Sequence, residues 1–294
     1  MTELHKAMSD DLIPHDPNAI AHPLQEEPVV VADTSSVRMR ATPEGVATVT
    51  INRPEKKNAL DAETIEALRQ AFETLKGEDG VRLVFLRGEG GSFCAGADVE
   101  WMRRAGEQTE SDNRADAMNL ARMLKALHDL PQLTVALVEG AAFGGGAGLI
   151  AACDMAVATA GARIALSEAK IGLTPATISP YVVRAVGPRN ARRLFAAASW
   201  FDAAEAHRIG LIDQVVADMA ELEAVRDRLA ADVMAVAPGA MADAKRLVED
   251  VAFRPIDHAL MEDTARRIAA RRASVEGREG LAAFLEKRRP SWHT

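Results

Sequence analysis

Two glycine-bearing segments and one glutamate carry the chemistry this sequence offers. The first segment is Ser92-Phe93-Cys94-Ala95-Gly96-Ala97-Asp98; the second is Gly140-Ala141-Ala142-Phe143-Gly144-Gly145-Gly146-Ala147-Gly148. Each directly follows a stretch that reads as a strand. Glycine lets main chain approach a ligand closely and adopt left-handed conformations. Where a helix starts at such a loop, its free N–H groups and its dipole favour negative charge. Two such loops converging on one point would make a two-donor oxyanion hole, and loss of one donor of that kind costs about 10²–10³ in rate. Glu168 follows the apolar run Ile164-Ala165-Leu166 and precedes a Gly172-Leu173-Thr174-Pro175 turn. Burial there would raise its pKa toward the range useful for proton transfer.

Other readings of the glycines compete. Close packing of helix on strand explains many glycine clusters. A dinucleotide-binding fold is the sharper rival, since glycine-rich turns after strands are its fingerprint. The glycine order here does not follow that spacing. Glu168, the acid at about the expected distance, also lies beyond the end of the next strand rather than on it.

Regular elements must hold these segments. Residues 37–41 and 46–51 read as strands joined by a Pro43-Glu44-Gly45 turn. Asp61 reads as an N-cap, followed by an apolar stripe of Ile65, Leu68, Phe72 and Leu75 at helical spacing. A short buried strand over 83–86 leads into the loop 88–96, and a helix carrying Leu120, Leu124 and Leu127 stops before Pro131. Strands over 134–138 and 155–158 flank the triple glycine and a short helix. Strand pairs alternating with helices in this way suggest a repeated ββα unit in an α/β fold. Further on, Asp202 and Glu205 are spaced as a capping box, and Gly210 sits where a helix C-cap glycine belongs. Beyond Met219 the pattern is almost wholly helical, and Arg266, Arg267, Arg271 and Arg272 read as a solvated helix face. The expected division is a tail over 1–36, a core carrying the site over 37–200 and a helical region over 201–294.

Composition narrows the classes. Of 294 residues, 48% are apolar and 27% charged, which is ordinary globular usage. Lys and Arg number 35 against 43 Asp and Glu, a net charge of −8. That is a poor start for nucleic-acid binding, whose affinity comes mainly from phosphate neutralisation. Aromatics are 4% and Tyr181 is the single tyrosine, so base-stacking platforms are disfavoured as well. Two cysteines, Cys94 and Cys153, exclude a disulfide framework and read as reduced, buried small hydrophobes. The seven histidines and two cysteines show no metal-ligand spacing. In the tail, Asp10, Asp11 and Asp16 count against a transit peptide, and no basic region leads into an apolar stretch. The apolar stretch 133–162 is interrupted by Glu139-Gly140 and by the triple glycine, so it reads as core rather than a membrane span. These features describe a soluble cytoplasmic enzyme.

Several separated motifs, in order, resemble one family. Arg53-Pro54 followed by Asn58-Ala59-Leu60, then Phe93 through Asp98, then Gly140 through Gly148 with Cys153-Asp154, are similar to the crotonase (enoyl-CoA hydratase/isomerase) superfamily. The resemblance extends to the C-terminal Phe284-Leu285-Glu286-Lys287-Arg288. It implies a crotonase fold, that is, a spiral of ββα turns with a helical C-terminal trimerisation region. It also implies a homotrimer or a hexamer made of two trimers. The substrate would be an acyl-CoA thioester, so coenzyme A enters as part of the substrate and no separate cofactor or metal is expected. No nucleic-acid or membrane partner is expected: RNA binding, known within the wider superfamily, is disfavoured by the −8 charge.

By position, the resemblance makes the N–H groups of Ala97 and Gly145 the oxyanion hole and Glu168 the general acid/base. Lys56 or Lys57 would approach the CoA phosphates. Substrate contacts are implied for Ala59, Ala95, Asp98, Val99, Gly144 and Gly148, with Phe284 and Lys287 completing the CoA site from a neighbouring subunit. Two positions depart from the pattern. Glu100 stands where a basic residue is common. Typical hydratases hold one water between two glutamates, and Gly148 stands at the first of these positions. The segments 140–145, 152–156 and 166–181 are most similar to bacterial methylglutaconyl-CoA and isohexenylglutaconyl-CoA hydratases, which carry glycine there and act in leucine or acyclic terpene breakdown. Hydration of a 2-enoyl-CoA is therefore the expected reaction. A Δ3,Δ2-enoyl-CoA isomerase working with one glutamate, and a non-catalytic acyl-CoA binding protein, are the alternatives.

Overall fold

The computed structural model describes residues 29–292. In chain order its strands are β1 (Val29–Asp33), β2 (Val37–Ala41), β3 (Val46–Ile51), β4 (Leu83–Gly88), β5 (Leu133–Val138), β6 (Ala141–Phe143), β7 (Met155–Thr159), β8 (Arg163–Ala165), β9 (Trp200–Asp202) and β10 (Gln214–Val216). A seven-stranded sheet has the order β1-β2-β3-β4-β5-β7-β10, and a smaller sheet has the order β6-β8-β9. The first three strands are antiparallel, and from β3 onward the large sheet is parallel.

The chain repeats one manoeuvre. It lays a strand in the large sheet, then a short extended piece against the small sheet, then a helix. After β3 comes Leu60 and the helix α1 (Ala62–Lys76). After β4 come residues 94–97, α2 (Val99–Ala105) and α3 (Glu110–His128). After β5 come β6 and α4 (Gly145–Ala152), and after β7 come β8 and α5 (Ser179–Ala197). Isolated parallel bridges from Leu60 to Ala97 and from Cys94 to Ala142 extend the small sheet into a row, so that Leu60, residues 94–97, β6, β8 and β9 lie side by side.

Period-two alternation in the strands explains how both faces of the large sheet are covered. Val84 and Leu86 of β4 join the core packed by α1, α3, α4 and α5, whereas Leu83 and Phe85 face a second core. That second core is closed by Leu222, Val225, Ala230 and Val233 of α7 (Met219–Met234). The local signals behave as their chemistry dictates. The Asp61 carboxylate accepts from the Thr64 N–H at 2.8 Å and starts α1, whose Ile65, Leu68, Phe72 and Leu75 are buried. The Asp202 carboxylate likewise caps α6 (Ala203–Arg208), and Gly210 takes φ +82° just past its end. Cys94 is buried and its thiol is pushed up to about 12 by desolvation, while Cys153 is half-buried beside the core.

Two boundaries differ from expectation. β1 pairs with β2 from Val29 onward, inside the stretch read as a tail; the remainder of that tail, residues 1–28, lies outside the described residues. The sheets also continue past residue 200. β9 completes the small sheet and β10 joins the large one beside β7, and strands of three residues are too short to show alternation. The purely helical part is α7, α8 (Pro238–Val251), α9 (His258–Ala273) and α10 (Val275–Leu285). Its arginines do more than face solvent. Arg267 pairs with Asp250 of α8 at 2.7 Å, and Arg271 reaches Asp243 of α8 at 3.2 Å and also Glu276 of α10. No helix among the described residues is long and apolar enough to cross a membrane.

Candidate active site

The two glycine segments are bonded to each other. The Cys94 N–H donates to the Ala141 carbonyl and the Phe143 N–H donates to the Cys94 carbonyl, both at 2.9 Å. Cys94 and Ala142 are parallel partners, so Ala97 and Gly145 each stand three residues past the same bridge. On the other side the Leu60 N–H donates to the Gly96 carbonyl at 2.7 Å, and the Asp98 N–H donates to the Leu60 carbonyl at 2.8 Å. Extended backbone alternates its polar groups. With the groups either side turned to Leu60, the Ala97 N–H faces the other way, toward the second segment. Among the described residues it donates to no main-chain carbonyl. Gly145 is the first residue of α4, whose opening N–H groups have no partner within the helix. Both residues with free amides stand beside the positive end of a helix.

Glu168 begins a 3-10 turn, Glu168–Ile171, directly after β8. The Gly144 N–H donates to the Ala165 carbonyl at 2.8 Å, which ties the triple glycine to the strand that delivers Glu168. Gly144 has φ +48°, and a Cβ there would come within 3.0 Å of Glu168 Oε1. Oε2 is buried and has no hydrogen-bond partner among the described residues. Burial raises the pKa of this carboxyl, and its own main-chain amide offsets the rise only in part. A half-buried carboxyl without a partner is poised to exchange a proton with a bound molecule.

Ala97, Gly144, Gly145 and Glu168 all line one cavity of about 550 Å³. Its wall is mostly apolar, with Leu60, Trp101, Leu120, Leu173 and Ile178 prominent. Polar groups enter from α3, where Asn113 and Asp116 share a face with Ala117 and Leu120, and from the turn at Lys170. The spacing 113, 116, 117, 120 is helical and readable in the sequence, but only the fold shows which helix face borders the glycines.

Of the other expected residues, Ala95 lines this cavity and the rest lie outside its wall. Lys56 and Lys57 are exposed on the turn preceding Asn58, and the Ala95 N–H donates to the Lys57 carbonyl at 3.0 Å, so both lysines sit beside the first segment. Val99 is exposed at the start of α2. Ala59 is buried, and its carbonyl accepts from the Arg53 guanidinium. The Asp98 side chain is also buried, capping α2 through the Glu100 and Trp101 N–H groups and pairing with Arg53 at 3.2 Å. Burial pulls the Asp98 carboxyl upward, but those amides and the arginine outweigh it and hold it below the usual range. Phe284, near the end of α10, and Lys287, just past it, do not line the cavity within one chain.

Gly148 is covered by an apolar side chain. A Cβ at position 148 would lie 2.3 Å from Ile178 Cγ2 and 2.8 Å from Ile178 Cβ. Thus one carboxyl, Glu168, stands over the first turn of α4 and Ile178 stands over the next.

Comparison with known proteins agrees with this architecture. Residues 41–294 match the family model described as enoyl-CoA hydratase/isomerase. The chain is 33% identical over 242 residues to the enoyl-CoA hydratase ACTT6 of Alternaria alternata, covering 82% of this chain and 78% of that protein. The crystal structure of an enoyl-CoA hydratase from Shewanella pealeana superposes with a TM-score of 0.84 at 39% identity, covering 87% of this chain and 96% of the other. Pseudomonas aeruginosa AtuE superposes equally well, with a TM-score of 0.84 at 37% identity over 88% of this chain and 100% of the other.

Proposed function

The chain belongs to the enoyl-CoA hydratase/isomerase family, and we propose that it adds water across the double bond of a 2-enoyl-CoA thioester. The thioester oxygen accepts from the Ala97 and Gly145 N–H groups. Glu168, as carboxylate, takes a proton from water while the water oxygen bonds to C3. The displaced electron pair collects on the thioester oxygen as an enolate, and Glu168 returns the proton to C2. Charge develops where fixed amides and a helix N-terminus already point, so little reorganisation is needed during the reaction. The observation that carries this reading is the buried, unpartnered Oε2 of Glu168 in the same cavity as the two free amides.

The acyl group we propose is of the glutaconyl type, bearing a second carboxylate. Its support is Lys170, the lysine in the wall of the otherwise largely apolar cavity. Lys56 and Lys57 would take the CoA phosphates, and Phe284 and Lys287 would reach the coenzyme from a neighbouring subunit in a trimer or a hexamer. No separate cofactor enters the scheme.

Isomerisation of a 3-enoyl-CoA by the same glutamate is the second reading, with the proton leaving C2 and returning at C4. It is favoured by the apolar cover on Gly148, which leaves water without a second carboxyl anchor there. Incubation of the protein with 2-enoyl-CoA and with 3-enoyl-CoA esters, read by mass spectrometry, tests the choice. Gain of one water from the 2-enoyl ester is expected. Positional exchange without gain of mass would favour the isomerase, and binding without any turnover would leave an acyl-CoA binding protein.

A further inference from the structure

We infer that Ile178 sets how much substituent the reaction centre admits at C3 of the enoyl group, an inference that rests on the hydratase reading above. Gly144 is the N-cap of α4 and Gly148 its fourth residue, joined by the Gly148 N–H donating to the Gly144 carbonyl at 3.0 Å. Glu168 Oε1 covers the first of them and Ile178 Cγ2 covers the second. The carboxyl and the Ile178 methyl groups thus cover two bare backbone positions at the start of α4, its N-cap and its fourth residue, on the face turned to the site. Both border the same cavity.

A thioester oxygen held at the Gly145 amide places C2 and C3 beside this face if Glu168 is to serve them. A substituent on C3 that extends past the carboxyl then meets Ile178. The side chain has little freedom to yield. It is 3% exposed, and β-branching restricts its first torsion. Its backbone is the N-cap of α5, with the carbonyl accepting from the Tyr181 and Val182 N–H groups at 3.2 Å each. With no Cβ at Gly148, Ile178 sits down on bare helix backbone, so the depth of the site at this point is fixed by the pair.

The test compares wild type with Ile178→Ala and Ile178→Val. For each, kcat/KM is measured for 2-butenoyl-CoA and for 3-ethyl-2-pentenoyl-CoA. The ratio of the bulkier to the smaller ester should rise about tenfold in the alanine variant, the scale of one or two methylene groups in a pocket, and by less in the valine variant. Affinities for butanoyl-CoA and 3-methylbutanoyl-CoA, which cannot react, should shift in the same direction. Equal losses for both esters with an unchanged affinity ratio would overturn the assignment of Ile178. Absence of turnover by wild type with every enoyl ester would overturn the hydratase reading instead, while the affinity ratio still decides the role of Ile178. Gly148→Ala should lose turnover by displacing Ile178, and Ile178→Ala in the same chain should restore it; failure of that rescue would also overturn the pairing.

Discussion

The Glu168 carboxyl rests against the bare backbone of Gly144, 3.0 Å from where a Cβ would stand. Position 144 also has φ +48°, a conformation that side chains rarely adopt. Gly144→Ala therefore strains the start of α4 and pushes the carboxyl aside together. The expected outcome is a fall in kcat of at least about tenfold in a protein whose circular dichroism is unchanged, since misplacement by an ångström costs on the order of 10² in rate.

Glu168→Gln keeps the shape of the side chain and removes its ability to accept a proton. Turnover should fall about 10²–10⁴-fold, with acyl-CoA affinity largely intact. Calorimetric titration with a saturated acyl-CoA separates the two effects. Near-full turnover in this variant would sink the assignment of the acid/base.

The raised pKa of Glu168 has two pH signatures, with opposite senses for rate and stability. Water addition starts from the carboxylate, so kcat should climb with pH through a value above the ordinary carboxylate range. For stability, the folded state holds this proton more tightly than the unfolded chain does. The ionised group thus costs stability, a cost that grows as pH rises past the unfolded value and is complete above the folded one. Glu168→Gln should melt higher than wild type at pH 8 and alike at pH 3. Differential scanning calorimetry at the two pH values checks the sign.

Arg53 fastens the loop that presents Ala97. Its guanidinium pairs with Asp61 at 2.9 Å and with the buried Asp98 at 3.2 Å, joining the caps of α1 and α2. Arg53→Met leaves the buried Asp98 without its ion-pair partner, with only the charge of Lys56 still acting on it, a loss of about 3 kcal/mol that lowers Tm by several degrees. Asp98→Asn in the same chain should recover part of that loss, and a thermal melt of the three variants measures it.

The C-terminal helices and their connections expose apolar side chains that one chain cannot bury. Phe253 is 94% exposed and Val275 is 88% exposed, with Ile256 and Leu285 also in solvent. Large apolar surface of this kind marks association. Sedimentation should give three or six times the 31.5 kDa chain mass, and Phe253→Asp with Leu285→Asp should shift the species toward monomer.

The longer elements were legible because their residues repeat a local rule. The expected strands over 37–41 and 46–51 coincide with β2 and β3, and the Asp61 and Asp202 caps form as their side chains dictate. Strands β6, β8, β9 and β10 span three residues each, too few for a period to register. The two glycine segments and Glu168 stood out in the sequence because clustered glycines and a flanked acid interrupt apolar runs, whereas Ala97 and Gly145 were picked out within those segments only by the family resemblance. The cover on Gly148 could not stand out. It depends on an isoleucine thirty positions away whose approach is set by the turn after Glu168 and by the cap of α5, and nothing local to either residue encodes it.

Strand β10 carries an implication for anyone cutting this gene. Because Gln214–Val216 closes the free side of β7, a fragment stopped at residue 200 would leave a long-range partner missing and a row of parallel-strand N–H and C=O groups open to other molecules. Such a piece should clump on expression, whereas one stopped after Val216 keeps that seam shut, although it loses the cover supplied by α7 and the helices α8 to α10 beyond it.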